Sequence, residues 1–137
     1  MGKLPLVSEV MAHLDPTPLV EKTLRECYGH PERVTKELIG RYADLALRPG
    51  NRAAFGARTR LPFADHTAEL RALTMPTLIL WGGRDQLIPV EHARRFAHDL
   101  AHAELRIYDD LGHVPHEEDG ARTAADVDAF LHGLPRG

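Results

Sequence analysis

The spacing of apolar positions changes character near residue 70. Upstream of that point it is helical. Leu19, Val20, Leu24, Cys27 and Tyr28 fall on one face of a helix. Thr17-Pro18 starts it, because Thr caps and Pro suits the first helical position, and Gly29 with Pro31 stops it. Thr35 caps a second helix, with Val34 and Ile39 placed as a hydrophobic staple and Leu38, Tyr42 and Leu45 as its apolar stripe. Pro49-Gly50 ends that helix, Asn51 caps a short third one through Ala57, and residues 60–65 read as a loop. Downstream the pattern alternates. Residues 77–81, Thr-Leu-Ile-Leu-Trp, form a short continuous apolar run between Pro76 and Gly82-Gly83, as expected of a strand buried on both faces. Val90, Ala93, Phe96, Ala97 and Leu100 make a helical face, and residues 104–108 read as a second strand. A last helix follows Gly112-His113, with Ala124, Val127, Phe130 and Leu131 inward, Gly133 past its end and Glu118 capping it through its charge. Strand–helix–strand–helix order predicts a right-handed parallel crossover, hence an α/β segment over residues 71–137 behind a helical segment over residues 1–70.

Composition narrows the function classes. A net charge of −3 removes the electrostatic case for nucleic acid or an anionic membrane surface. No apolar run approaches the ~18 residues of a membrane span, and the N-terminus lacks the basic start and apolar stretch of a signal peptide. Leu6 stands where myristoylation after Met1-Gly2 wants Ser or Thr. A single cysteine, Cys27, excludes an internal disulfide and points to a reducing, cytoplasmic setting. At 137 residues the chain is long enough for one modest domain.

The candidate chemistry lies beyond the two strands. In open parallel sheets functional groups gather past the carboxyl ends of strands. Asp85 follows Trp81 by four residues, and His113 follows Tyr108 by five. Neighbouring parallel strands therefore bring both side chains to one edge. There Asp85 accepts the Nδ1 proton of His113 and fixes its tautomer, leaving the other nitrogen to deprotonate a nucleophile or a water.

The segment Pro76-Thr77-Leu78-Ile79-Leu80-Trp81-Gly82-Gly83-Arg84-Asp85-Gln86-Leu87-Ile88-Pro89 resembles the stretch of α/β-hydrolases that ends in the triad acid. Leu111-Gly112-His113-Val114-Pro115-His116-Glu117-Glu118 resembles the stretch holding their triad histidine. The two residues stand 28 positions apart, a spacing typical of that family, and the resemblance covers roughly residues 70–133. Gly120 departs from it, since many relatives carry a proline after the glutamate. The resemblance implies the C-terminal portion of an α/β-hydrolase parallel sheet, two strands with flanking helices. Residues 1–70 are then similar to the helical cap inserted ahead of the acid strand, and Arg48-Pro49-Gly50-Asn51-Arg52 resembles caps of the epoxide hydrolase and haloalkane dehalogenase branch. It also implies Asp85 as triad acid, His113 as general base, no metal or organic cofactor, and a small, mostly apolar ester, lactone, epoxide or haloalkane as substrate.

No nucleophile matches the family's G-x-S-x-G elbow or its Asp and Cys versions. Ser8, the only serine, has no flanking glycines, and Cys27 sits in a helical stripe. The expectation is a chain that lacks the nucleophile half, inactive alone, with that half as a partner. The alternatives are a non-catalytic interaction module or an inert truncated fragment. Other candidates have plainer readings: His116 as an exposed residue rather than a metal partner of His113, His98 and His102 as neighbours without a third ligand, Trp81 as core at a strand end, and Asp109-Asp110 as a solvated turn.

Overall fold

A computed structural model describes residues 15–62 and 64–135. Ser8 and the Met1-Gly2 start lie outside them. The described residues gather into two compact units. One takes residues 15–23 and 35–62, the other residues 24–34 and 64–135. The units are interleaved in sequence, with no single cut near residue 70.

Helix α1 (Thr17–Cys27) begins in the first unit, and its last turn belongs to the second. Its start is set by Asp15, whose Oδ1 accepts from the Thr17 N–H at 2.9 Å and hydroxyl at 2.6 Å, a bond expected instead from Thr17. Leu24, Cys27 and Tyr28 are buried as their spacing requires, whereas Leu19 is exposed. A short 3₁₀ turn, Pro31–Arg33, follows.

In the first unit, α2 (Lys36–Leu47) is capped by Thr35, whose hydroxyl accepts from Leu38 N at 3.2 Å. Ile39 and Ala43 are its buried positions. Helix α3 (Asn51–Arg58) departs from the sequence reading at its start. Gly50 is the N-cap, at φ +89°, a left-handed conformation that favours glycine. Asn51 turns backward instead, its Nδ2 donating at 2.7 Å to the Leu45 carbonyl at the end of α2. A helix's last carbonyls lack partners, and this amide supplies one.

The second unit holds α4 (Thr67–Arg71), β1 (Thr77–Gly82), α5 (Glu91–Asp99), β2 (Ala103–Tyr108), α6 (Pro115–Glu118) and α7 (Gly120–Gly133). The strands pair in parallel, from Thr77 opposite Ala103 to Gly82 opposite Tyr108. Both loops that follow them therefore leave the same end of the sheet. Helix α5 buries Ala93, and Leu100 just past its end is buried too. Arg71 donates twice to Asp99 Oδ1, at 3.1 and 2.8 Å, tying α4 to α5. Helix α7 is held to β2 by the Tyr108 hydroxyl donating to Asp126 at 2.7 Å, with the Arg122 guanidinium 4.8 Å over the Tyr108 ring.

The region after His113 forms two helices where the sequence reading expects one. Asp119 interrupts it and caps α7, accepting from Arg122 N at 3.1 Å, so the expected Glu118 cap is replaced. Gly133 ends the helix from inside it. Of the residues expected inward on α7, Val127 and Leu131 are exposed, as is Ala124, and Phe130 is half-buried. With Leu80 of β1 and Ala124, Val127 and Leu131 line an open groove of about 430 Å³. Among the described residues no helix is long and apolar enough to cross a membrane.

Candidate active site

Strand β1 ends at Gly82, and the chain turns at once through residues 83–86. Asp85 is carried on this turn with its side chain almost fully buried, 3% exposed. Its Oδ1 accepts from the Leu87 and Ile88 N–H groups, both at 2.9 Å. Such a bond pattern is what makes Asp a turn residue, here used to fix a carboxylate. The Trp81 indole N–H closes the same loop by donating to the Ile88 carbonyl at 3.2 Å, while its ring tilts against Phe96 with centroids 6.3 Å apart. Trp81 is thus both half-buried packing and a tether for the acid loop.

Strand β2 delivers the partner. His113 Nδ1 stands 2.9 Å from Asp85 Oδ2. With the carboxylate as acceptor, Nδ1 carries the proton and Nε2 presents its lone pair. Nε2 has no hydrogen-bond partner among the described residues, and the His113 side chain is one-third exposed. A buried carboxylate thus fixes an imidazole whose outer nitrogen remains reachable.

The backbone of the histidine loop is clamped by a segment that helical periodicity alone does not connect to the sheet. The His113 N–H donates to the Cys27 carbonyl at 2.6 Å. Gly29 lies against residues 110–112 so closely that a Cβ there would stand 2.6 Å from the Asp110 carbonyl oxygen. A Cβ on Gly112 would strike the Cys27 carbonyl and the Gly29 nitrogen, and one on Gly82 would strike the Gly112 carbonyl. Gly29, Gly82 and Gly112 therefore let three backbone segments converge beneath the Asp85–His113 pair. The sequence signals only the helix-stopping role of Gly29, since periodicity carries no trace of contacts between distant segments. Arg84 adds a bond from its guanidinium to the Gly29 carbonyl at 3.3 Å.

The other candidates fall apart from this pair. Cys27 is buried, and burial pushes its thiol pKa up, with the Asp85 charge adding to the effect. His116 is exposed within α6. His98 ends α5 against Asp99, while the His102 carbonyl accepts from Thr77 N. Asp110 pairs with Arg122 at 2.9 Å, and this bond holds its carboxyl below the usual range. Among the described residues no group of three or more His, Cys, Asp or Glu side chains is arranged to hold a metal ion.

A parallel strand pair that presents a carboxylate and an imidazole from successive loops defines a class. The alpha/beta hydrolase fold family model matches residues 5–120, and the chain belongs to that family. Among curated relatives, the 2-hydroxymuconate semialdehyde hydrolase of Pseudomonas sp. (strain CF600) is 32% identical over 105 residues, which cover 72% of this chain and 37% of the relative. Lipase 3 of Moraxella sp. (strain TA144) is 37% identical over 62 residues, 45% of this chain and 20% of the lipase. Among solved structures, the meta-cleavage product hydrolase CumD from Pseudomonas fluorescens IP01 superposes with a TM-score of 0.75 at 21% identity, covering 88% of this chain and 47% of that one. The chain spans about a third of the first of these curated relatives and about half of that solved structure.

Proposed function

We propose that this chain carries the acid and the base of a nucleophile–histidine–acid hydrolase. The observation that carries the reading is the 2.9 Å approach of His113 Nδ1 to Asp85 Oδ2, with Nε2 left open. In this mechanism Nε2 takes the proton of the attacking hydroxyl or thiol, or of a water that opens an alkyl–enzyme ester when the nucleophile is a carboxylate. The Asp85 carboxylate stabilises the imidazolium, which then returns the proton to the leaving group. Base catalysis of this kind contributes about 10²–10⁴-fold.

The nucleophile and the oxyanion donors come, on this reading, from the part of the fold that the longer relatives have and this chain does not span. Cys27 is unsuited to the role, being buried and within a helix. The chain alone is then inactive, and its N-terminal helical segment, apart from residues 24–34, acts as the cap. The substrate is a small, mostly apolar ester, lactone, epoxide or haloalkane. The name of the Pseudomonas sp. (strain CF600) relative makes 2-hydroxymuconate semialdehyde a further compound to try. The reading needs no metal or organic cofactor, and the single cysteine supports a cytoplasmic setting for it.

Hydrolysis of p-nitrophenyl acetate tests it. The purified chain is expected to show no saturable turnover. Co-expression with any hydrolase half encoded upstream is expected to restore turnover, which His113→Ala and Asp85→Ala each abolish. Saturable turnover by the chain alone, unchanged in His113→Ala, contradicts the reading. The groove of Leu80, Ala124, Val127 and Leu131 favours a second reading, a non-catalytic module that pairs with another chain. A stable, inactive complex whose formation is indifferent to Asp85 and His113 supports that alternative.

A further inference from the structure

Glu118 does more than continue the turn of α6. Its Oε1 accepts from the Gly112 N–H at 2.6 Å, six residues back along the chain. That bond closes the base of the loop on which His113 sits. Its Oε2 accepts from the His30 N–H at 3.2 Å, so the same carboxylate reaches into the segment after α1. Its own carbonyl accepts from the Arg33 guanidinium at 3.3 Å. Next to it, Glu117 Oε2 accepts from the Tyr28 hydroxyl at 3.0 Å. Both oxygens of Glu118 are therefore spent on backbone donors flanking the contact between His113 N–H and the Cys27 carbonyl. A loop is ordinarily the most mobile part of a fold. This one is pinned on both sides of the histidine by charge-assisted bonds, each about twice as strong as a neutral one.

We infer that Glu118 is a positioning residue, which holds the His113 backbone in register so that the ring meets Asp85. The inference rests on the acid–base reading of the Asp85–His113 pair. Two accepting oxygens are the essential property. Glutamine of the same length offers one acceptor and sets an N–H₂ group against an N–H donor, so one of the two backbone bonds must break.

The test is imidazole NMR on the whole chain. The wild type is measured first, and absence there of a proton held on His113 Nδ1 refutes the acid–base reading itself. Given that proton, Glu118→Gln is expected to speed its exchange with solvent by about tenfold, the equilibrium equivalent of one net hydrogen bond lost. The other histidine rings and the far-ultraviolet circular dichroism are expected to stay unchanged. Unchanged Nδ1 proton exchange in a folded Glu118→Gln overturns the positioning role while leaving the Asp85–His113 pair intact. A second measurement needs no variant: amide exchange in the wild type is expected to show Gly112 and His30 protected together with His113. Rapid exchange at Gly112 overturns the inference in that case too.

Discussion

The two oxygens of Asp85 have separate tasks, and substitutions separate them. Oδ1 satisfies the Leu87 and Ile88 N–H groups, and Oδ2 meets His113. Asp85→Ala removes the acceptor that these turn N–H groups share and is expected to lower stability by about 0.5–1.5 kcal/mol, read from thermal or urea unfolding. Asp85→Asn keeps an oxygen for the turn and is expected to cost less. Its amide nitrogen, however, presents a donor to Nδ1, so His113 is expected to move its proton to Nε2 and lose its basic lone pair there. In the assembled enzyme that exchange is expected to reduce the rate about 10²–10⁴-fold. Cys27 makes a contrasting case. The thiolate is the reactive form of cysteine, and burial with the Asp85 charge disfavours it. Iodoacetamide at neutral pH is therefore expected to spare Cys27 in the folded chain and modify it in urea, as mass spectrometry would read. Rapid alkylation of the folded chain would reopen Cys27 as a nucleophile.

Glycines show how the elements are locked together. Gly112→Ala drives a methyl into the Cys27 carbonyl and Gly29, and overpacking of this kind costs about 1–3 kcal/mol or more. Gly40→Ala, in the middle of α2 where a Cβ meets nothing within 4 Å, is expected to stabilise by about 0.5–1 kcal/mol. Opposite shifts in melting temperature check the pair. The ion pairs between elements give a pH dependence. Arg71 and Arg122 hold Asp99 and Asp110 below the usual carboxylate range. Each contribution is present above the unfolded pKa, near ~3.9, and is lost as the pH falls through the folded value. The gap in melting temperature between wild type and Asp110→Asn is expected to be small at pH 7 and to close in acid or high salt. A gap that widens in acid contradicts this sign. Both strands and the helix between them were legible, because a continuous apolar run bounded by Pro76 and Gly82 has few alternatives. The residues that cap α1 and α3, the break at Asp119 and the clamp by Gly29 and Glu118 were not. Caps depend on which neighbouring oxygen arrives first, and clamps join segments that periodicity treats as independent.

Over the whole molecule, a two-stranded sheet cannot bury everything its strands carry. Leu78, Ile79 and Leu80 are only half-buried, and Val127 and Leu131 are exposed in the lining of the open groove. Each large aliphatic left partly wet forgoes a share of the roughly 1.5–3 kcal/mol that full burial supplies. The isolated chain is therefore expected to self-associate as concentration rises in size-exclusion chromatography with light scattering. Leu131→Glu is expected to reduce that association without disturbing the His113 ring. The family follows from the matching model and from the strand–loop geometry together, and the site chemistry proposed for it depends on a single contact. Nitrogen-15 NMR of the His113 ring in the wild-type chain tests that contact most directly. The expected result is a neutral imidazole protonated on Nδ1, a tautomer that reverts in Asp85→Ala. An unchanged Nε2-protonated ring, the same in both proteins, would contradict the account.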